Sequence, residues 1–455
     1  MIGNYRSCRL PSQITSALSL PKVAGVAYEI NGRVDVGADI GGAGNAPGGI
    51  STTLTIAPGA VLYARAEGDN DFMVVNRGSR LIAEGTETQP IIFTAQANLT
   101  GTVTDDAQGL WGGIILAGRA PISNCGTKVE PGSAACENVV EGTGTALYGG
   151  ATATDNSGTI RYVQIRYSGT TISPNNELQG LTLAGTGSGT TVDHLQVHNS
   201  SDDGIEIFGG RTNLRYLVMT GADDDSLDTD VGWQGFVQFV LAIQKPNNTQ
   251  TDNYATEIDS NGNEDALPRQ SYNLANFTFV HTSTATNAAI RLRGGADARF
   301  VNGIVVSPVA CLNILAGAET GGGKTTIRPA NEALQDQGPP RFDSVLFACK
   351  TPYAESKVEN VTVTAEEQRA VFQAGSNNVE NGSGLLSNTY FPAGAALTAA
   401  AFDASTLNPK NTSFLVKTSY VGAVNGANDT WYQGWTCSSN RATFATSGSC
   451  TALPN

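Results

Sequence analysis

Two stretches near the middle of the chain have the same pattern of apolar and polar positions. "TTVDHLQVHNSSDDGIEIFGG" (190–210) aligns with "TNLRYLVMTGADDDSLDTDVG" (212–232) at an offset of 22. Val192 then meets Leu214, Leu195 meets Leu217, Val197 meets Met219 and Ile205 meets Leu227. The same pattern recurs upstream in "TIRYVQIRYSG" and "LQGLTLAG". Downstream it recurs in "YNLANFTFVHT", "AAIRLRGG", "ARFVNGIVVSP" and "PRFDSVLFACK". Alternation at period two predicts short strands, separated here by polar or glycine-rich turns. Helical periodicity is almost absent, and "PANEALQDQG" (329–338) is the one short helix expected, on a loop. A two-strand unit of this length cannot bury its own apolar face, so it must stack on copies of itself. Long insertions are expected at 118–150, 244–271 and 315–340, where loop residues interrupt the alternation.

The expected fold class is therefore all-β: a solenoid in which each turn adds a strand parallel to the one below. About ten coils are expected. In domain terms, 1–50 reads as an N-terminal segment and cap, 51–350 as the coil with its insertions, and 351–455 as the last coils and an aromatic C-terminal cap. Trp431, Tyr432 and Trp435 would form that cap; the alternative for these aromatics is sugar binding.

Certain segments carry a resemblance. "TLTIAPGAVL" and "FMVVNRGSRLIAEGTETQPIIFTA" resemble the opening turns of right-handed parallel β-helix proteins of the pectin-lyase-like superfamily. "GLWGGIILAGRAPI", "DDGIEIFGG", "GADDDSLDTDVGW" and the ending "TSYVGAV…DTWYQGWT" resemble a narrower group. Its members are large β-helical surface lipoproteins and secreted proteins of Gram-negative bacteria. The likeness spans roughly residues 20–437 and implies a right-handed coil and an outer-membrane-associated or extracellular location, but no single activity.

Composition narrows the function classes. The 455 residues include 53 glycines, 27 Lys+Arg and 41 Asp+Glu, for a formal charge of −14. Phosphate contacts need clustered cations, so nucleic acid is not the expected partner. No apolar run approaches the roughly 20 residues of a membrane helix. The start, "MIGNYRSCRLPSQI", has no apolar centre of a secretion signal. None of the seven cysteines forms a CxxC pair and only three histidines exist, which argues against zinc. Cys125 with Cys136 and Cys437 with Cys450 are expected as local disulfides, and Cys311 with Cys349 across coils, leaving Cys8 free or paired with a segment outside this sequence. Such staples fit an oxidising compartment and hence export.

The chemistry concentrates in residues 200–230, where aspartates crowd together with apolar residues threaded between them at strand spacing. Equal positions in successive turns stack about 4.8 Å apart. Taking Ile258 and Ile290 as inward residues gives an outward row of Glu206, Asp228, Asp259 and Arg291. Two positions on, Asp230 and Asn261 lead to Arg293. Like charges opposite one another destabilise a sheet. A divalent cation, with calcium the best match for carboxylate and amide oxygens, would offset the repulsion at Glu206, Asp228, Asp230, Asp259 and Asn261. Arg291 and Arg293 would close the row and could also catch an anionic sugar. Asp202, Asp203, Asp224 and Asp225 read equally well as turn residues accepting backbone hydrogen bonds.

Two function classes follow. The leading one is a non-catalytic exported surface protein whose outer face binds a glycan, a cation or a neighbouring envelope protein. The other is a carbohydrate-active enzyme, either a calcium-dependent polysaccharide lyase or an inverting glycoside hydrolase, for which Asp224, Asp225, Asp228 and Arg291 are the candidate catalytic residues. The resemblance implies for such a hydrolase a carboxylate pair with Gly-His-Gly and Arg-x-Lys, and for a lyase Arg-x-x-Pro beside a calcium cluster; neither set is present. "GAETGGGKTT" lacks the first glycine of a phosphate loop at Ala318 and reads as a flexible loop.

Overall fold

The computed structural model describes residues 1–454 apart from 66–69, 174–175, 247–250 and 318–322. The loop with the phosphate-loop likeness falls largely outside the described residues. The chain forms two compact units. The first comprises Met1–Thr212, Val218–Asp224 and Tyr432–Asn455, and the second Asn213–Leu217 and Asp225–Trp431. Among the described residues, 23 strands take part in parallel ladders, and helices are few and short. This is the all-β parallel coil that the alternation predicts.

In the first unit, Thr53–Ile56 buries Leu54 and Ile56 and turns Thr53 and Thr55 outward. Ile56 pairs with Ala83, Ala83 with Ile160, and Ile160 with Val192, so each coil sets its apolar residue on the one before. Burying such a side chain contributes about 1.5–3 kcal/mol, and none of the four is more than 2% exposed. Parallel pairing already joins Arg6–Arg9 to Val26–Ile30, ahead of residue 50. The offset of 22 reappears where His198 meets Thr220. It is not general, because insertions lengthen many coils: Thr53 pairs with Arg80, and Thr159 with Thr191.

In the second unit, Gln234–Ile243, Ser271–Val280, Asp297–Ile314 and Arg341–Tyr353 form one continuous parallel ladder. Each bends at a single residue with positive φ, at Phe239, Asn276, Asn302 and Ser344. These four are skipped together in the register, so the coil turns its corner at the same level every time. Asparagine tolerates this left-handed conformation better than most residues. Asn302 also grips the later chain through Phe402 N (2.7 Å) and Phe402 O (2.9 Å). Gly303 is needed beside it, since a Cβ there would lie 1.9 Å from the Phe277 ring.

Three expectations change. Ala365–Gln373 is an α-helix, started by a capping box between Thr364 and Glu367. The segment 329–338 contributes only a 3-10 turn at Glu332–Leu334. The span 244–271 is not one insertion, because Thr256–Asp259 within it is a ladder strand. The aromatic ending lies across outward side chains of the first unit: Gln164 donates to Trp435 O (2.5 Å), and Gln196 donates to Cys437 O (2.9 Å). Tyr432 and Trp435 are fully buried, which leaves neither ring free to stack on a sugar. Disulfides join Cys125–Cys136, Cys311–Cys349 and Cys437–Cys450, and Cys8 is free, as expected. No helix among the described residues is long and apolar enough to cross a membrane.

Candidate functional site

Five short strands frame the acidic residues, which stand on the middle three. In the first unit these are β1 (Leu181–Ala184) and β2 (Ile205–Phe208); in the second they are β3 (Leu227–Asp230), β4 (Thr256–Asp259) and β5 (Ala288–Arg293). Glu206 stands on β2 opposite Thr182 of β1 and is buried. In the second unit the rows differ from the expected ones by two residues at β4. Asp228 faces Glu257, which faces Arg291, while Asp259 faces Arg293.

The cause of the slip is Thr256. It takes the inward position opposite Leu227 that an apolar alignment assigns to Ile258. Its hydroxyl donates to Leu227 O at 2.7 Å, which makes a polar residue acceptable in the core. Glu257 was therefore missed, although "TEID" offered it at the right parity. Asn261 lies beyond β4 in a turn, where its side-chain oxygen accepts from Asn263 N at 2.7 Å, so it is no part of the rows.

Arg293 is the hub of the ladder, 2.8 Å from Glu257 and 3.0 Å from Asp259. Arg291 lies 2.9 Å from Asp252 and 3.8 Å from Glu257, with its guanidinium 4.3 Å from the centre of the Tyr254 ring. Four ladder carboxylates, Asp228, Asp230, Glu257 and Asp259, thus lie around Arg293, while Arg291 joins Glu257 to Asp252. Burial pushes the Asp228 carboxyl well above its ordinary range; Glu257 and Asp230 push it further, against Arg293. Burial and then Asp259 raise Asp230 to about 7. Glu257 and Asp259 are raised too, by burial, although Arg293 opposes this in both. One oxygen each of Asp228 and Asp259 is buried with no hydrogen-bond partner. Such oxygens are costly inside a protein unless something binds them.

A second acidic group lies in the first unit. One oxygen from each of Asp202, Asp203 and Asp224 falls within 4.8 Å of the others. Burial, then Glu177 and Glu141, raise Asp202 to about 8; the Asp203 backbone N–H and Gln179 oppose them. Gln179 also donates to Glu141 at 2.9 Å. Glu141 and Glu177 sit far upstream in sequence, and no local spacing pointed to them.

The four catalytic candidates are not assembled as a set within either unit. Asp224 belongs to the first unit, and Asp225, Asp228 and Arg291 to the second. Asp225 accepts a hydrogen bond from Tyr254 N, the turn role open to it in sequence. His198 and His281 are buried, and burial drives their pKa values down to about 3 and about 4. His194 stacks on Tyr162, with ring centres 4.4 Å apart.

A family model described as a pectate-lyase like beta helix domain matches residues 49–436. The chain belongs to that family. Comparison with curated proteins and with solved structures gives no match. Membership of the pectate-lyase-like β-helix family accounts for the parallel ladders and places the protein among carbohydrate-related β-helices. The matched span includes every residue of both acidic groups.

Proposed function

We propose that this pectate-lyase-like β-helix is an exported bacterial surface protein that binds a glycan without cleaving it. In this reading a divalent cation, calcium, sits on the ladder of Asp228, Asp230, Glu257 and Asp259 and bridges to the sugar. The observation that carries it is the imbalance of charge. Five carboxylates, Asp252 included, meet two guanidiniums, and two buried carboxylate oxygens have no hydrogen-bond partner. Protons or a cation must offset that excess, and calcium takes six to eight oxygen ligands, partly from such carboxylates. Support for export comes from the three disulfides, which persist in oxidising compartments. Support for binding without cleavage comes from the arginines. Each is clamped by carboxylates, and a guanidinium so paired stays charged and cannot serve as a base.

One observation favours cleavage instead. Asp230, raised to about 7, could hold a proton at neutral pH as a general acid must. A glycan array probed with calcium and with chelator, together with ultraviolet and reducing-end assays on bound polysaccharides, separates the readings. Calcium-dependent binding with no product is expected. Product released from any bound polysaccharide, and lost in Asp230→Asn, would replace binding with catalysis.

A further inference from the structure

The second unit holds a cavity of about 410 Å³ that the ladder does not use. Its floor is formed by the ends of three successive strands, Ser271–Val280, Asp297–Ile314 and Arg341–Tyr353. Register places Asn273, Arg299 and Arg341 in one row across them. The apolar part of the lining is Pro339 and Pro340, which lead into Arg341, with Ala370, Val371 and Ala374 at the end of the helix Ala365–Gln373. Its volume falls in the range of small-molecule sites, about 300–1,000 Å³.

Most polar groups of the lining are already committed to one another. Gln337 donates to Ser271 Oγ at 3.0 Å, and Asn273 donates to Gly235 O at 3.2 Å. Asp297 accepts from Gln337 N at 3.1 Å through one oxygen; the other lies 3.6 Å from Arg269 and has no hydrogen-bond partner. Arg341 is bound to Asp343 at 2.9 Å. Arg299 is the exception: it is half-buried, and no carboxylate among the described residues pairs with it. A guanidinium in a cavity that also has an apolar lining matches a ligand with one carboxylate and a flat apolar body, because the fork of N–H groups binds a carboxylate in two places. A sugar acid fits less well, since its hydroxyls would find few free partners here.

We propose that this cavity is a binding site for a small aromatic monocarboxylate, with its carboxylate on Arg299 and its ring against Pro339, Pro340 and Val371. The site is separate from the ladder and stands whether or not the ladder binds calcium. Calorimetry with benzoate, 4-hydroxycinnamate, benzamide and galacturonate tests it on the full chain. The two aromatic acids should bind, and the neutral amide and the sugar acid should bind at least tenfold more weakly. Arg299→Leu should weaken the aromatic acids at least tenfold. Val371→Trp, which fills the cavity and leaves the guanidinium in place, should abolish binding with the circular dichroism spectrum unchanged. Absence of binding by both acids to the unaltered chain would overturn the proposal. Equal binding of benzamide, preference for galacturonate, or full affinity in either variant would do the same.

Discussion

The two acidic groups have similar composition and opposite support. On β3 to β5 the carboxylates stand on strands, in register, and face two guanidiniums from the next coil. In the first unit, Asp202 faces Glu177 and Glu141, and what opposes its protonation is a backbone N–H and an amide. Neutral donors offset a buried negative charge less well than a guanidinium does, and Asp202 is raised to about 8. The strand group is therefore organised by ion pairs, and the turn group by hydrogen bonds and protonation. Crowded aspartates in a sequence do not by themselves say which of the two will form.

The sharpest way to break this contrast is to remove the hub. Arg293→Ala strips Glu257 and Asp259 of their guanidinium and leaves four buried carboxylates together. Arg293 is 38% exposed while Glu257 and Asp259 are buried. The loss should therefore fall between that of a surface pair, up to about 1 kcal/mol, and that of a fully buried one, about 3–5 kcal/mol. Urea unfolding in chelator should show about 2 kcal/mol. Glu257→Gln in the same background should recover part of it. A loss below about 1 kcal/mol, the level of a surface pair, would mean that Arg293 does not organise the ladder.

Protonation gives the next largest effect. Asp230 has a folded pKa of about 7, raised from its ordinary value by burial and Asp259. Between roughly pH 4 and pH 7 the folded carboxyl keeps a proton that the unfolded one has released. Stability in chelator should therefore fall as pH rises through that window, and Glu141, at about 7, adds in the same direction. Melting midpoints taken in steps across the window check this; a midpoint that rises steadily with pH would contradict it.

The turn group should respond in the opposite direction to the loss of Arg293. Asp202→Asn removes a charge that has no guanidinium to lose, so at pH 8 the variant should gain stability. The gain should shrink towards pH 5, where the unaltered carboxyl already holds its proton in the folded state. Asp259→Asn, which gives up its bond to Arg293, should not gain. If both substitutions stabilise equally, the two groups do not differ as described.

Much of this was legible in the sequence. The alternation in "TLTIAPGAVL" and "TIRYVQIRYSG" specified inward and outward residues, because a strand has no other way to hide one face. The disulfides were legible because each pair was close in sequence or on neighbouring coils. The corners at Asn276 and Asn302 were not, since one left-handed residue inside an apolar run leaves no break in the pattern. The helix at Ala365–Gln373 was signalled by Thr364 and Glu367, a capping box that strand periodicity obscured. In the ladder, Asp228, Asp230, Asp259, Arg291 and Arg293 stand on the strands that the alternation assigned to them, two residues out of the expected register at β4. Glu257 was missed because a threonine, satisfied by a backbone carbonyl, filled an inward place that hydrophobicity alone would not assign to it. Glu141, in the 118–150 insertion, and Glu177, in the hairpin strand Asn176–Leu178, reach Asp202 only through folding, which no repeat encodes.

The central claim, that the ladder holds a divalent cation, is tested most directly by calcium titration of thermal unfolding. The unaltered chain is compared with Asp228→Asn combined with Asp230→Asn, and with Asp202→Asn as a control, at pH 7.5. Calcium at a hundredfold excess over its dissociation constant should stabilise the unaltered chain and the control by about 2.7 kcal/mol. The double ladder variant should show little or no response. An unchanged midpoint in the unaltered chain, or a response that survives in the ladder variant and vanishes in Asp202→Asn, would contradict the claim.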